Sequence, residues 1–201
     1  MCVICVSDKG VKQPSKECMR NMWDRNPHGA GYMFAKSNYV YIRKGFMRFD
    51  DFYASVKSEN FTDDDIVIYH FRIATQGGVN PEMTHPFKFT DNISETKLLR
   101  GRVNLGICHN GIIPYTSRSY DNKYSDTAYF IADCLPSFIS RPGDLKNVRV
   151  QNEIEKMIQS KMAFLDYAGN VTKIGRFYTD ENSGLSFSNT FFVPFGKHLV
   201  A

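Results

Sequence analysis

What the 201-residue chain lacks narrows it first. No apolar run approaches the ~20 residues needed to span a membrane. The opening MCVICVSDKG has neither the basic start nor the long apolar core of a secretory signal. There is no block of Lys or Arg. The 25 basic and 21 acidic residues are interspersed and leave a net charge of +4. Nucleic-acid binding therefore gets little support. Cysteine occurs five times, an odd set for a disulfide scaffold. One CxxC, formed by Cys2 and Cys5, has no second pair to complete a four-ligand zinc site. Repeats, low-complexity segments and linkers are missing too. These absences imply a soluble cytoplasmic protein of one domain over residues 1–201.

What is present supports a folded core, since 42% of the residues are hydrophobic and Phe and Tyr are abundant. CVICV reads as an opening strand buried on both sides. Residues 12–22 suit a short helix starting near Pro14. GAGYMFA and NYVYIRKG read as two strands joined at Ser37 and Asn38. Residues 48–58 put Phe49, Phe52, Tyr53 and Val56 on one helical face. IVIYHFRIAT is the strongest strand signal, and RVNLGICHNG reads as another strand running into a turn. SDTAYFIADCL suits a helix capped by Ser125, and a further helix falls near 151–160. KMAFLDY, VTKIGRFY and NTFFVPF complete the strands. Many strands with few helices predict an α+β layered protein in which antiparallel hairpins dominate.

Cys2 admits three readings. Its thiol is an inert buried hydrophobe, or it pairs with Cys5, or it becomes N-terminal once Met1 is removed. A β-like run points positions 2 and 5 to opposite faces, which weakens the pairing. The third reading has a complete chemical logic. A free α-amine of pKa roughly 7.7–8.0 takes the proton of the thiol on its own residue.

Such a nucleophile needs anchors and oxyanion donors. In HFRIATQGG, Arg72 ends a buried strand with Thr75 just beyond, a guanidinium and hydroxyl suited to a carboxylate. In ICHNGII, Asn110 and Gly111 offer a side-chain NH2 beside a backbone N–H. On residues alone, HNG reads first as a type I′ turn closing a hairpin, and Asp126 as a first-turn helix acid.

MC, NPHGAGY, HFRIAT, THPF, CHNGII and SDT occur in this order within residues 2–135. Together they resemble the class II glutamine amidotransferase domain of the N-terminal-nucleophile hydrolase superfamily. The resemblance implies a four-layer α-β-β-α sandwich of two mainly antiparallel sheets. It implies Cys2 as nucleophile on the glutamine carboxamide and Asn110 with Gly111 as the oxyanion pair. It further implies that Arg72 and Thr75 hold the substrate carboxylate and Asp126 its ammonium. Asn26, Gly29, His85 and Pro86 are then structural, and His109 is a turn or supporting residue. No cofactor or metal is implied. The ammonia goes to a separate synthetase or acceptor protein, since family members typically carry a fused synthetase for which 201 residues leave no room.

The chain departs from the family pattern at Val3, where glycine is usual, and at His28, where an acid is usual. It departs also at Ile73, often aromatic, and at Gln76, often histidine. Two competing readings are hydrolysis of another γ-glutamyl or acyl amide, and an idle binding module on the same fold.

Overall fold

The apolar run behind Cys2 forms β1 (Val3–Ser7), buried at every position. Ser15 then caps α1 (Lys16–Arg25) by accepting the Cys18 N–H at 3.1 Å. The helix therefore starts close to Pro14, as the sequence suggests, and runs on to Arg25. β2 (Ala30–Lys36) and β3 (Tyr39–Phe46) form the expected hairpin. Ser37 and Asn38 at its tip both have positive φ, +50° and +58°. α2 (Phe49–Ser58) buries Phe49, Phe52 and Val56, as the 3–4 spacing predicts. β4 (Val67–Phe71) follows.

The structure, a computed structural model, describes residues 1–75, 77–114 and 123–194. Gln76 and Phe195 lie outside them. The remaining strands are β5 (Phe87–Lys88), β6 (Arg100–Val103) and β7 (Leu105–Asn110), then β8 (Lys161–Asp166), β9 (Val171–Ile174), β10 (Tyr178–Thr179) and β11 (Ser186–Phe187). The helices are α3 (Asp126–Tyr129), which continues as a π-helical turn over Phe130–Cys134, and α4 (Val148–Ile158). The chain is α+β with two antiparallel sheets. Among the described residues, seven strands run β10-β11-β1-β4-β2-β3-β6, and four run β5-β7-β8-β9. Among the described residues, no helix is long and apolar enough to cross a membrane.

Three corrections follow. RVNLGICHNG is two strands, not one, because β6 pairs with β3 while β7 pairs with β5 and β8 in the other sheet. The change of sheet falls at Asn104, whose carbonyl accepts the Tyr167 N–H. Among the described residues HNG closes no hairpin, since the described element that follows β7 is α3. NTFFVPF is not a strand through its described residues. The Asn189 side chain accepts the Phe191 N–H and turns the backbone there, and Phe192 stacks on Phe187 at 3.8 Å.

Alternation along the strands sorts side chains into three cores. Ile4, Val6, Met33, Ile42 and Ile68 of the larger sheet share one core with Cys108, Ala163 and Leu165 of the smaller. Val3, Cys5, Tyr32, Tyr69 and Phe71 pack on the far face against Met22 and Trp23 of α1 and Phe52 of α2. Ile107, Met162 and Phe164 pack against Ala128, Ile154 and Ile158 of α3 and α4. Phe52 is fully buried and meets Tyr32, Phe46 and Phe71 edge to face. Phe52→Ala should cost about 3–5 kcal/mol in urea unfolding. A loss below about 1 kcal/mol would show that this aromatic layer is not a packed core.

Candidate active site

Antiparallel pairing of β1 with β4 sets Val3 opposite Phe71. The residue adjoining each strand, Cys2 before β1 and Arg72 after β4, is thereby brought to the same end of the sheet. Cys2 Sγ lies 3.4 Å from the Ile73 N–H, which donates to it, and 3.5 Å from Ile73 O, to which the thiol donates. β7 arrives from the other sheet, and Gly111 follows it. Asp126 opens α3.

One narrow cavity is lined by Cys2, Arg72, Thr75, Gly111 and Asp126, with Ile73, His85, His109 and Thr127. Five of the six residues singled out in the sequence thus meet there. The sixth, Asn110, is buried beside it and does not line it. Its Nδ2 donates to Ser188 Oγ at 2.8 Å, and its Oδ1 is buried without a hydrogen-bond partner. A larger cavity, about 630 Å³, lies elsewhere, along α1 and the 180–194 segment. Its lining includes Cys18, Lys12, Glu17, Asp63 and Asp180, but burial and the neighbouring Asp180 and Glu17 push the Cys18 thiol up to about 12, so that thiol is held protonated.

Each position has a local cause. Arg72 is 3% exposed, and its Nη1 donates to Gly78 O at 2.6 Å. Asp126 serves two purposes at once. It is the first-turn acid of α3, and its Oδ2 and Oδ1 accept from the Ile113 and Thr127 N–H groups at 2.7 and 2.8 Å. Gly111 has φ +151°, and a Cβ there would meet Ser160 Cβ at 2.3 Å, so only glycine fits. Asn26 donates to Met22 O at the end of α1. A Cβ on Gly29, φ +112°, would meet Thr84 Cγ2 at 2.6 Å.

Val3 and His28 have clear local roles. The Val3 side chain points into the helix-covered core, away from the cavity. His28 Nδ1 accepts the Ala74 N–H at 3.0 Å and so pins the loop after Arg72.

The electrostatics are dominated by burial. Burial pushes the Cys2 thiol up, opposed by the Ile73 N–H, the Arg72 guanidinium and the N-terminal charge. The thiol is therefore neutral and needs a base to react. Three buried histidines stand behind it. His109 N–H donates to His85 Nδ1, and His70 Nε2 lies 2.9 Å from His109 O. His109 bonds Thr127 through Nδ1 at 2.8 Å and Ser160 through Nε2 at 2.7 Å. Because Ser160 donates its proton to Ile158 O, it accepts from His109 Nε2–H. That fixes the tautomer, with Thr127 donating to Nδ1. Burial lowers His70 to about 3 and His109 to about 4, and holds His85 well below its ordinary value.

Sequence reasoning passed over Ser188 and Asn189 as residues near a turn. Asn189 Nδ2 donates to Cys2 O at 2.6 Å, and Ser188 Oγ accepts from Ile4 N–H at 2.8 Å. Both lie more than 180 positions from the residues they hold, so no local motif reveals them. Among the described residues, no group of three or more His, Cys, Asp or Glu is arranged to hold a metal ion. No protein-family model matches the chain, and no curated protein matches it.

The neutral histidines give a pH prediction. Unfolded histidine titrates near 6.5, while His70 and His109 in the folded chain do so only at about 3 and about 4. Between these values the unfolded state binds more protons, so stability rises with pH. The urea midpoint should fall as pH is lowered from 6.5 to 5, above the main carboxylate range. A flat midpoint across that window contradicts the buried neutral cluster.

Proposed function

We propose that the chain is a glutaminase of the class II glutamine amidotransferase type, with the four-layer α-β-β-α fold of the N-terminal-nucleophile hydrolases. The observation that carries the reading is the convergence of Cys2, Arg72, Thr75, Gly111 and Asp126 on one cavity. They come from both sheets and from a helix start, and no packing need explains a thiol, a guanidinium and a carboxylate meeting there.

Removal of Met1, whose side chain is exposed, puts the α-amine on Cys2 itself. Arg72 and Thr75 then hold the α-carboxylate of L-glutamine and Asp126 its α-ammonium, which orients the carboxamide over Sγ. Sγ attacks the carboxamide carbon while its proton passes to the α-amine. The tetrahedral oxyanion takes hydrogen bonds from the Gly111 N–H and the Asn110 amide. The C–N bond breaks, and the amine returns the proton to the departing ammonia. Water, activated by the same amine, hydrolyses the thioester and releases glutamate. The ammonia is delivered to a separate acceptor protein.

The cavity is small, about 20 Å³, room for about one water. Glutamine entry therefore displaces its lining. Arg72 exchanges the neutral Gly78 carbonyl for the substrate carboxylate, a stronger charge-assisted partner.

Intact mass should show loss of Met1, and the mature protein should release ammonia from L-glutamine. Cys2→Ala should lower that rate by about 10³-fold or more. Arg72→Lys should raise KM by about 10–100-fold through loss of the planar fork. Full turnover by protein that keeps Met1, or by Cys2→Ala, would falsify this reading.

A further inference from the structure

Ser188 and Asn189 follow β11 and meet the nucleophile from the far end of the chain. Ser188 continues the β11–β1 pairing, its N–H donating to Ile4 O at 3.0 Å while its Oγ accepts from Ile4 N–H at 2.8 Å. Asn189 Oδ1 accepts the Phe191 N–H at 3.1 Å. Its amide orientation is thus settled, and the NH2 must face Cys2 O, 2.6 Å away.

The Asn110 amide stands differently. Its Nδ2 meets Ser188 Oγ, and its Oδ1 is a buried acceptor with no donor. On the glutaminase reading, a carbonyl oxygen turned toward the oxyanion would repel it, whereas an NH2 would bind it. The Ser188 hydroxyl has one proton to give and already accepts from Ile4. The amide O and NH2 are nearly equal in size, so the amide fits its space either way round. Turned over, Oδ1 accepts the Ser188 proton and the NH2 takes the place of the unpartnered oxygen. The orphan acceptor disappears, and the donor that replaces it gains its full partner only when charge develops.

We infer that Ser188 and Asn189 are positioning residues of the nucleophile and the oxyanion donor, a step that rests on the glutaminase reading. Asn189 fixes the Cys2 main chain through its carbonyl. Ser188 ties Asn110 to β1 two residues past Cys2 and directs its NH2, rather than its oxygen, toward the developing charge.

The test compares ammonia release from L-glutamine by the wild type, Ser188→Ala, Asn110→Ala and the double variant. Alkylation of Cys2 by iodoacetamide, which needs no oxyanion donor, is measured in parallel. Ser188→Ala should lower kcat about 10–100-fold with KM and the alkylation rate within about twofold. In the Asn110→Ala background it should lower kcat no further, because its effect runs through that amide. Should Ser188→Ala fail to fold, Ser188→Cys, whose proton is a weak donor, serves in its place. An unchanged kcat, a loss in KM alone, or additive losses in the double variant overturn the inference while leaving the glutaminase reading intact. A wild type that releases no ammonia removes that reading first, and this inference with it.

Discussion

The register of β1 against β4 is the constraint on which the rest depends. Side chains alternate across a strand, so a slip of one residue sends every side chain to the opposite face. Such a slip would turn Cys2 into the core beneath α1 and α2 and carry it out of line with Arg72. Both strands are buried on both faces, so an apolar pattern alone holds their register loosely. Polar bonds supply what the pattern lacks. His70, opposite Ile4, reaches the smaller sheet through His109 O, and Ser188 grips Ile4 from the other edge. These bonds have few alternative partners in an apolar layer, so a slipped register would leave buried polar groups unpaired.

The same layer explains why the cavity is chemically quiet. His70, His85 and His109 are held neutral by burial. Lys44 sits nearby, its Nζ donating to Glu82 O and Thr96 O above the Phe87 ring. Burial pushes that amine well down as well. The wall behind Cys2 is thus built from nitrogen groups that carry little charge. The guanidinium of Arg72 and the carboxylate of Asp126 stand out against it as the ionic pair lining the cavity. In a low-dielectric setting their fields fall on whatever enters with less screening than at a surface.

How much of this was legible in the sequence differs by element. The hairpin of β2 and β3, the aromatic face of α2 and the Ser125 cap were readable, because each is set by residues within a few positions. The division of RVNLGICHNG between two sheets was not, since pairing partners decide it and these lie far along the chain. That Cys2, Arg72, Thr75, Gly111 and Asp126 share one cavity was suggested by chemistry at Cys2, Arg72 and Thr75 and by the order of motifs for the rest. Singly, Asp126 was a helix acid and HNG a turn, and the helix-acid reading is also true of the fold. Ser188 and Asn189 were illegible for the opposite reason. Small polar residues beside a turn occur throughout any chain, and only the folded geometry distinguishes two that touch Cys2 and Asn110.

The neighbouring histidines bear on which group acts as base in the proposed chemistry. His109 uses both ring nitrogens, on Thr127 and Ser160. His85 accepts at Nδ1, so its other nitrogen carries the proton and cannot take one. His70 retains a lone pair at Nδ1, but that atom is fully buried, and the ring resists protonation down to about pH 3. His28 spends Nδ1 on the Ala74 N–H. A thiol whose pKa is raised by burial still has to lose its proton before it attacks carbon. With these imidazoles committed, the α-amine that Met1 removal would place on Cys2 is the base best matched to neutral pH. Its ordinary range, roughly 7.7–8.0, lies where proton transfer in both directions is fast enough to serve attack and departure alike.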